Sequence, residues 1–279
     1  MTGPDETPPP SGPPSDVPPP PGGPPPAGEP MPQYGAPAAP APTPYAAAGG
    51  VPPAVVPGPP AVPTVDRIRY AWQRRPETDY IFSFWTAFGW TILTLGIYGF
   101  YVFYQLMRRM RDHNARRLEL LDASITFAWE EAGRRGLQQE LTPSFQRAAA
   151  HAAVLRDMTR DFRDPAIWVI IAILTRGIVD IVAYVLLDKD LSRHDQAEVG
   201  IEYELSLIFA RFGHQLPGPD LSRVKQPDNY VGRIVATVFT FGIYLLWWTY
   251  NQMEEPNKHF RVNWVQEDAL VNAVQGMIR

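Results

Sequence analysis

Hydrophobic and polar positions divide residues 67–279 into three long apolar stretches separated by amphipathic ones. Tyr80–Met107 runs for 28 residues without a charged side chain, Pro165–Leu187 is apolar except for Arg176 and Asp180, and Tyr230–Tyr250 is apolar except for Arg233. A helix needs about 20 residues to cross the hydrocarbon core of a bilayer, so each stretch reads as a membrane segment. Beyond the second, Ile201, Leu205, Ile208 and Phe212 recur at helical spacing, which predicts an amphipathic helix. A further helix is predicted with Thr142 as cap and Pro143 as its first residue, presenting Phe145, Ala149, Ala152, Leu155, Met158 and Phe162 on one face. It ends before Asp164, which reads as the N-cap of the second apolar segment, with Pro165 at its first position.

The three apolar segments share a frame. Thr94-Leu95-Gly96-Ile97-Tyr98, Thr175-Arg176-Gly177-Ile178-Val179 and Thr240-Phe241-Gly242-Ile243-Tyr244 each place Thr, one residue, Gly and Ile in the same order. His113, His194 and His259 each follow the glycine by 17 residues. Internal repetition of this kind points to an array of like units packed on one another. The expected fold is all-α: a multi-pass helical membrane protein built from about three repeats. Its parts are a disordered proline-rich tail over 1–66, a first membrane repeat with its following helix over 67–141 and an inserted amphipathic helix over 142–164. A second repeat over 165–217 and a third with a C-terminal helix over 218–279 complete the chain.

Two threadings fit these segments. Three simple spans are favoured slightly, and the many arginines of residues 108–163 place that connection in the cytoplasm. The alternative breaks each segment at its Gly-Ile turn into a re-entrant hairpin that enters and leaves on one side. As a single helix Tyr80–Met107 would be about 42 Å long against a core of about 30 Å, which suits a break, although tilt also absorbs excess length.

Composition changes the picture at the N-terminus. Of 32 prolines, 25 lie between Met1 and Asp66, where five carboxylates meet no Lys or Arg. Such a stretch favours solvated polyproline II over helix or sheet, and it carries no signal-peptide pattern. The tail holds five of the chain's negative charges, so the whole-chain net of −4 leaves the body at +1. That balance removes the electrostatic case for nucleic acid, and the absence of cysteine excludes disulfides and thiolate metal sites.

Candidate chemistry is sparse. Arg176 and Asp180 lie one helical turn apart inside the second segment and read as an intramembrane pair, either fixing helix packing or forming part of an ion path. His113, His194 and His259 would suit zinc if they converged, but their equivalent places beside charged residues read as interfacial histidines, and no metal or cofactor is expected. Trp85, Trp90, Tyr98, Tyr101, Tyr104, Trp247, Trp248 and Tyr250 read as aromatic belts. No nucleophile elbow, zincin, Walker or dinucleotide pattern occurs, and Glu130-Glu131 and Glu254-Glu255 read as solvated.

The phrase Thr94-Leu95-Gly96-Ile97-Tyr98-Gly99-Phe100-Tyr101, echoed from Thr240 to Trp248, resembles a bacterial integral-membrane family of unknown function (domain of unknown function 4234) over about 80–125 and 228–275. The resemblance implies a membrane protein and carries over no catalytic residue. The expected function is a non-enzymatic bacterial membrane anchor or adaptor. It would sit in the lipid bilayer of the plasma membrane with a cytoplasmic tail, and engage a protein partner through 1–66 or 108–164. A homo-oligomer is left open. A small transporter or channel component using Arg176 and Asp180 is the alternative.

Overall fold

The computed structural model describes residues 63–175 and 177–278, all of whose regular structure is helical. Nearly all of the proline-rich tail and Arg176 lie outside the described residues. Thr64–Asp66, assigned by composition to the tail, form the first turn of α1 (Thr64–Gln73), which Pro63 precedes. A short α2 (Arg75–Thr78) follows.

Each apolar segment is broken at its shared motif. The first gives α3 (Phe84–Leu93) and α4 (Ile97–Arg134); the second gives α6 (Pro165–Leu174) and α7 (Ile178–Arg211); the third gives α8 (Tyr230–Phe239) and α9 (Ile243–Met277). Between the first and second units lies α5 (Gln138–Arg160). The single spans favoured from hydropathy are therefore not present as continuous helices. None of the helices among the described residues is long and apolar enough to cross a membrane.

The break has a local cause. After α3 the chain closes with a bond from Gly96 N–H to Thr91 C=O at 2.8 Å and from Leu95 N–H to Ile92 C=O at 3.0 Å, the paired bonds that end a helix through a left-handed residue. Leu95 has φ 51° and Gly96 φ 94°, and Phe241 and Gly242 repeat this with 50° and 89°. Two successive residues at positive φ redirect the chain into the next helix. Hydropathy does not register such a turn because its residues are as apolar as their neighbours.

The long helices α4, α7 and α9, of 38, 34 and 35 residues, run on from the turns into the body. Close to the turns they share an apolar cluster that includes Phe103, Leu106, Met107, Leu187, Leu191, Trp248 and Phe260. Further along, a second cluster joins Leu120, Phe127, Ile201, Leu205, Ile208, Leu270 and Val274, with Ile68 and Ala71 of α1 and Phe145 and Leu155 of α5 packed on it. Between the two lies a layer of buried polar and charged side chains.

The two inserted-helix expectations fare differently. Asp164 caps α6, accepting from the N–H groups of Ala166 at 2.8 Å and Ile167 at 3.1 Å, with Pro165 in the first turn. Thr142 does not start α5, which already begins at Gln138. The Thr142 hydroxyl instead donates to the Gln138 carbonyl at 2.8 Å, and Pro143 sits inside the helix. The buried face uses Ala148 and not Ala149.

Candidate functional site

Two features stand out: the three turns, and the polar layer between the apolar clusters. At the turns, large apolar side chains face outward. Leu95 is 94% exposed and Phe241 98%, and Leu93, Ile97, Leu174, Ile178, Phe239 and Ile243 are exposed beside them. Residues near all three turns line one cleft of about 270 Å³, among them Gly96, Gly177, Asp180 and Leu246, so the three tips lie at the same end of the body.

The backbone at these tips is satisfied internally. The N–H groups of Leu95, Gly96, Ile97 and Gly99 all reach main-chain carbonyls, and that of Tyr98 reaches Thr94 Oγ1 at 2.9 Å. Thr94 Oγ1 also donates to the Trp90 carbonyl at 2.8 Å. One hydroxyl thus closes the short helix and caps the long one, which is why the motif begins with Thr. Thr240 repeats both bonds, to Ala236 at 2.7 Å and from Tyr244 at 2.9 Å. Thr175 donates to Ile171 at 2.8 Å and accepts from Val179 at 3.4 Å.

Of the intramembrane pair, Arg176 lies outside the described residues. Asp180 stands in the first turn of α7, lining the cleft between the tips. The residues read as aromatic belts divide by exposure. Trp85, Trp90, Tyr101, Trp247 and Tyr250 are exposed, whereas Trp248 is fully buried and donates from Nε1 to Asp188 at 3.0 Å. Arg233 accompanies it, reaching Asp188 at 3.0 Å and Asp228 at 2.6 Å.

The three histidines are not interfacial. His113, His194 and His259 are 0%, 1% and 2% exposed, and their ring centroids form a nearly equilateral triangle with sides of 5.4, 5.2 and 5.3 Å. Their common register, one on each long helix, turns all three inward, so the repeat position that suggested an interface places them at the centre. Glu198 of α7 joins them, and one ligating atom from each of the four lies within 4.8 Å of the others.

Carboxylates stand behind two of the rings. Asp79 accepts from His113 Nδ1 at 2.9 Å, and also from Arg116 at 2.7 Å and Trp264 at 2.8 Å. Asp195 Oδ1 lies 2.7 Å from His259 Nδ1, out of line for a straight hydrogen bond. Burial holds His113 down to about 3 despite Asp79, leaving its imidazole neutral. Burial alone would raise Glu198, but Arg117, bonded at 2.5 Å, holds it well below the usual carboxylate range. Arg117 also reaches Glu202 at 2.6 Å and Glu267 at 3.1 Å.

The arginine-rich stretch is internally committed. Arg109, Arg116 and Arg117 are buried, while Arg108 pairs with Asp112, Arg147 with Glu204, Arg156 with Asp122, Arg160 with Asp157 and Arg163 with Asp190. Glu131, read as solvated, is buried against Arg134 and Arg135. The sequence also left Glu198, Asp79 and Asp195 unassigned. Only Glu198 had a signal within reach, one helical turn after His194.

A family model described as "Domain of unknown function (DUF4234)" matches residues 82–131. That range holds α3, the first turn and α4 as far as Glu131, including Thr94, Gly96 and His113. No curated protein and no solved structure matches the chain.

Proposed function

We propose that this chain is a non-enzymatic membrane anchor and adaptor of the bacterial plasma membrane, whose three hairpin tips dip into one leaflet without crossing it. The observation that carries this reading is a set of exposed apolar turns in which every described N–H from Leu95 to Gly99 and from Phe241 to Leu245 is bonded within the protein. Hydrocarbon offers no partner to a free N–H, so such a tip suits lipid, while water would leave its side chains at a cost. The lengths agree. Each short helix has 10 residues, hence rises about 15 Å, half of a core about 30 Å thick.

This is the re-entrant threading, and it keeps both ends of the body on one side. The cytoplasmic side follows for the tail if the arginine bias sets orientation. Because the arginines of 108–164 are engaged within the chain itself, Arg109 by main-chain carbonyls and Asn257 and the others by carboxylates, the protein partner is assigned to residues 1–66. Flotation of the purified full chain with phospholipid vesicles tests the anchor. Wild type should float, and a Leu95→Asp, Phe241→Asp double variant should lose at least about tenfold in partitioning, since a charge deep in a bilayer costs about 2–4 kcal/mol. Equal flotation of the two would sink the reading.

A second reading, a transporter component, draws on Asp180 in the cleft between the tips. Under it, Asp180→Asn abolishes an ion flux in vesicles while flotation persists; under the anchor reading no flux exists to lose.

A further inference from the structure

We propose that His113, His194, His259 and Glu198 form a site for one divalent transition-metal ion of the zinc class, which joins the three long helices. The site is distinct from the membrane reading and does not depend on it.

Distances support a shared ion. Zinc held tetrahedrally at about 2.0–2.1 Å keeps its ligand atoms about 3.3–3.4 Å apart. His113 Nε2 and His259 Nε2 are 3.3 Å apart, His194 Nε2 and a Glu198 oxygen 3.3 Å, and His259 Nε2 and the other Glu198 oxygen 3.4 Å. Two of these edges end on different oxygens of Glu198, and the four residues together bring one ligand atom each within 4.8 Å of the others, close enough for a small inward adjustment to close them on one ion. Three imidazoles with a carboxylate and no thiolate suit zinc and its divalent neighbours better than calcium or magnesium, which take oxygen cages.

The protons point the same way. His113 gives its Nδ1 proton to Asp79, so its Nε2 presents a lone pair to His259. Asp195 stands at Nδ1 of His259, whose Nε2 likewise faces inward, with the Asn263 amide at 2.9 Å. Neither nitrogen of His194 has a hydrogen-bond partner, although the ring is buried. Buried polar atoms are nearly always paired, and a cation between the rings would give His194 Nε2 the partner it lacks. Asp79, bonded to Nδ1 of His113, is the outer-shell partner that metal-bound imidazoles ordinarily have, and Asp195 lies beside Nδ1 of His259 without a straight bond to it.

Charge provides a separate argument. The ion-pair network around the histidines contains six carboxylates, Asp79, Asp195, Glu198, Glu202, Glu267 and Asp268, against four guanidiniums, Arg75, Arg116, Arg117 and Arg223. Counted at formal charge and leaving the histidines aside, the six carboxylates outnumber the four guanidiniums by two, the half-exposed Asp268 among them, and such an excess favours a divalent cation as partner. Four protein ligands, all fully buried, make the site closed, hence structural in kind.

The test uses full-length protein purified in detergent with chelator and then desalted. Zn2+ should bind at one equivalent per chain and raise the midpoint of thermal unfolding, and Co2+ should give the intense visible absorption of four-coordinate cobalt. His194→Gln removes a ring that has no other hydrogen bond to lose, and should weaken Zn2+ binding at least about a hundredfold; Asp79→Asn should weaken it about 10–100-fold. Wild-type protein that binds no Zn2+ and unfolds at the same temperature with Zn2+ or chelator overturns the proposal. So does undiminished uptake by His194→Gln. If that variant does not fold, the wild-type cobalt spectrum decides: a pale six-coordinate spectrum counts against the site and an intense one for it.

Discussion

Arg109 Nη2 donates a 2.5 Å hydrogen bond to the carbonyl of Gln252, the group that Pro256, having no N–H, leaves without its partner inside α9. The same guanidinium reaches the Met253 carbonyl at 3.1 Å and Asn257 Oδ1 at 3.0 Å, and lies over Phe82. A fully buried cation here acts as a substitute backbone donor, tying the first long helix to the third. Arg109→Met should destabilise the protein by about 3 kcal/mol, the cost of stranding buried acceptors. In a Pro256→Ala background, where Gln252 regains its helical bond, the loss should shrink, as read from denaturant midpoints. An unchanged loss would show that Arg109 does not serve this carbonyl.

The motif threonines join two helices through one oxygen. Replacing Thr94 or Thr240 by Val removes a cap and should cost about 1 kcal/mol each, while Ser should retain most of it. Thermal unfolding of the four variants distinguishes this from a packing role of the methyl group, for which Val would be harmless and Ser costly.

Leu95 and Phe241 occupy left-handed backbone normally given to glycine. The strain lies under the two most exposed apolar side chains of the tips, which under the proposed anchor role would trade stability for membrane contact. Leu95→Gly and Phe241→Gly should each gain about 1 kcal/mol in stability yet reduce vesicle binding. Gain in both stability and binding would contradict this account.

Acid should weaken the metal-free protein through His113, around which Asp79, Arg116, His194, His259, Phe260 and Glu198 gather. Its folded-state value of about 3 lies below the unfolded value of about 6.5. Its contribution is therefore whole above about 6.5 and lost as pH falls towards 3, by up to about 1.4 kcal/mol per pH unit. Denaturant midpoints in chelator, taken from pH 7 to pH 4, should decline more steeply for wild type than for His113→Asn. Parallel profiles would exclude this source.

Much of this was legible in the chain. The Thr-x-Gly-Ile frame marked the three breaks, and Asp164-Pro165 marked a cap, because both depend on local chemistry. The histidine spacing was equally visible, but whether equivalent positions face outward or inward depends on how three long helices pack, which no local pattern encodes. The continuous helices expected from hydropathy failed for a related reason. A turn built of Leu95 and Gly96, with Thr94 as its polar link, looks uniformly apolar. The arginines of 108–163 read as a partner-engaging region because carboxylates that hold some of them, such as Asp79 for Arg116 and Glu204 for Arg147, lie far away in sequence.

The central claim is that the tips enter one leaflet and the opposite end of the body stays in water. The chain has no cysteine, so single substitutions Leu95→Cys, Phe241→Cys and Trp129→Cys can each carry an environment-sensitive fluorophore on vesicle-bound protein. The account predicts that labels at 95 and 241 shift to the blue and are quenched by lipids spin-labelled along the acyl chain, while the label at 129 is quenched only by aqueous iodide. Labels at 95 and 241 as open to iodide as the one at 129, or reachable from the far side of the bilayer, would contradict it.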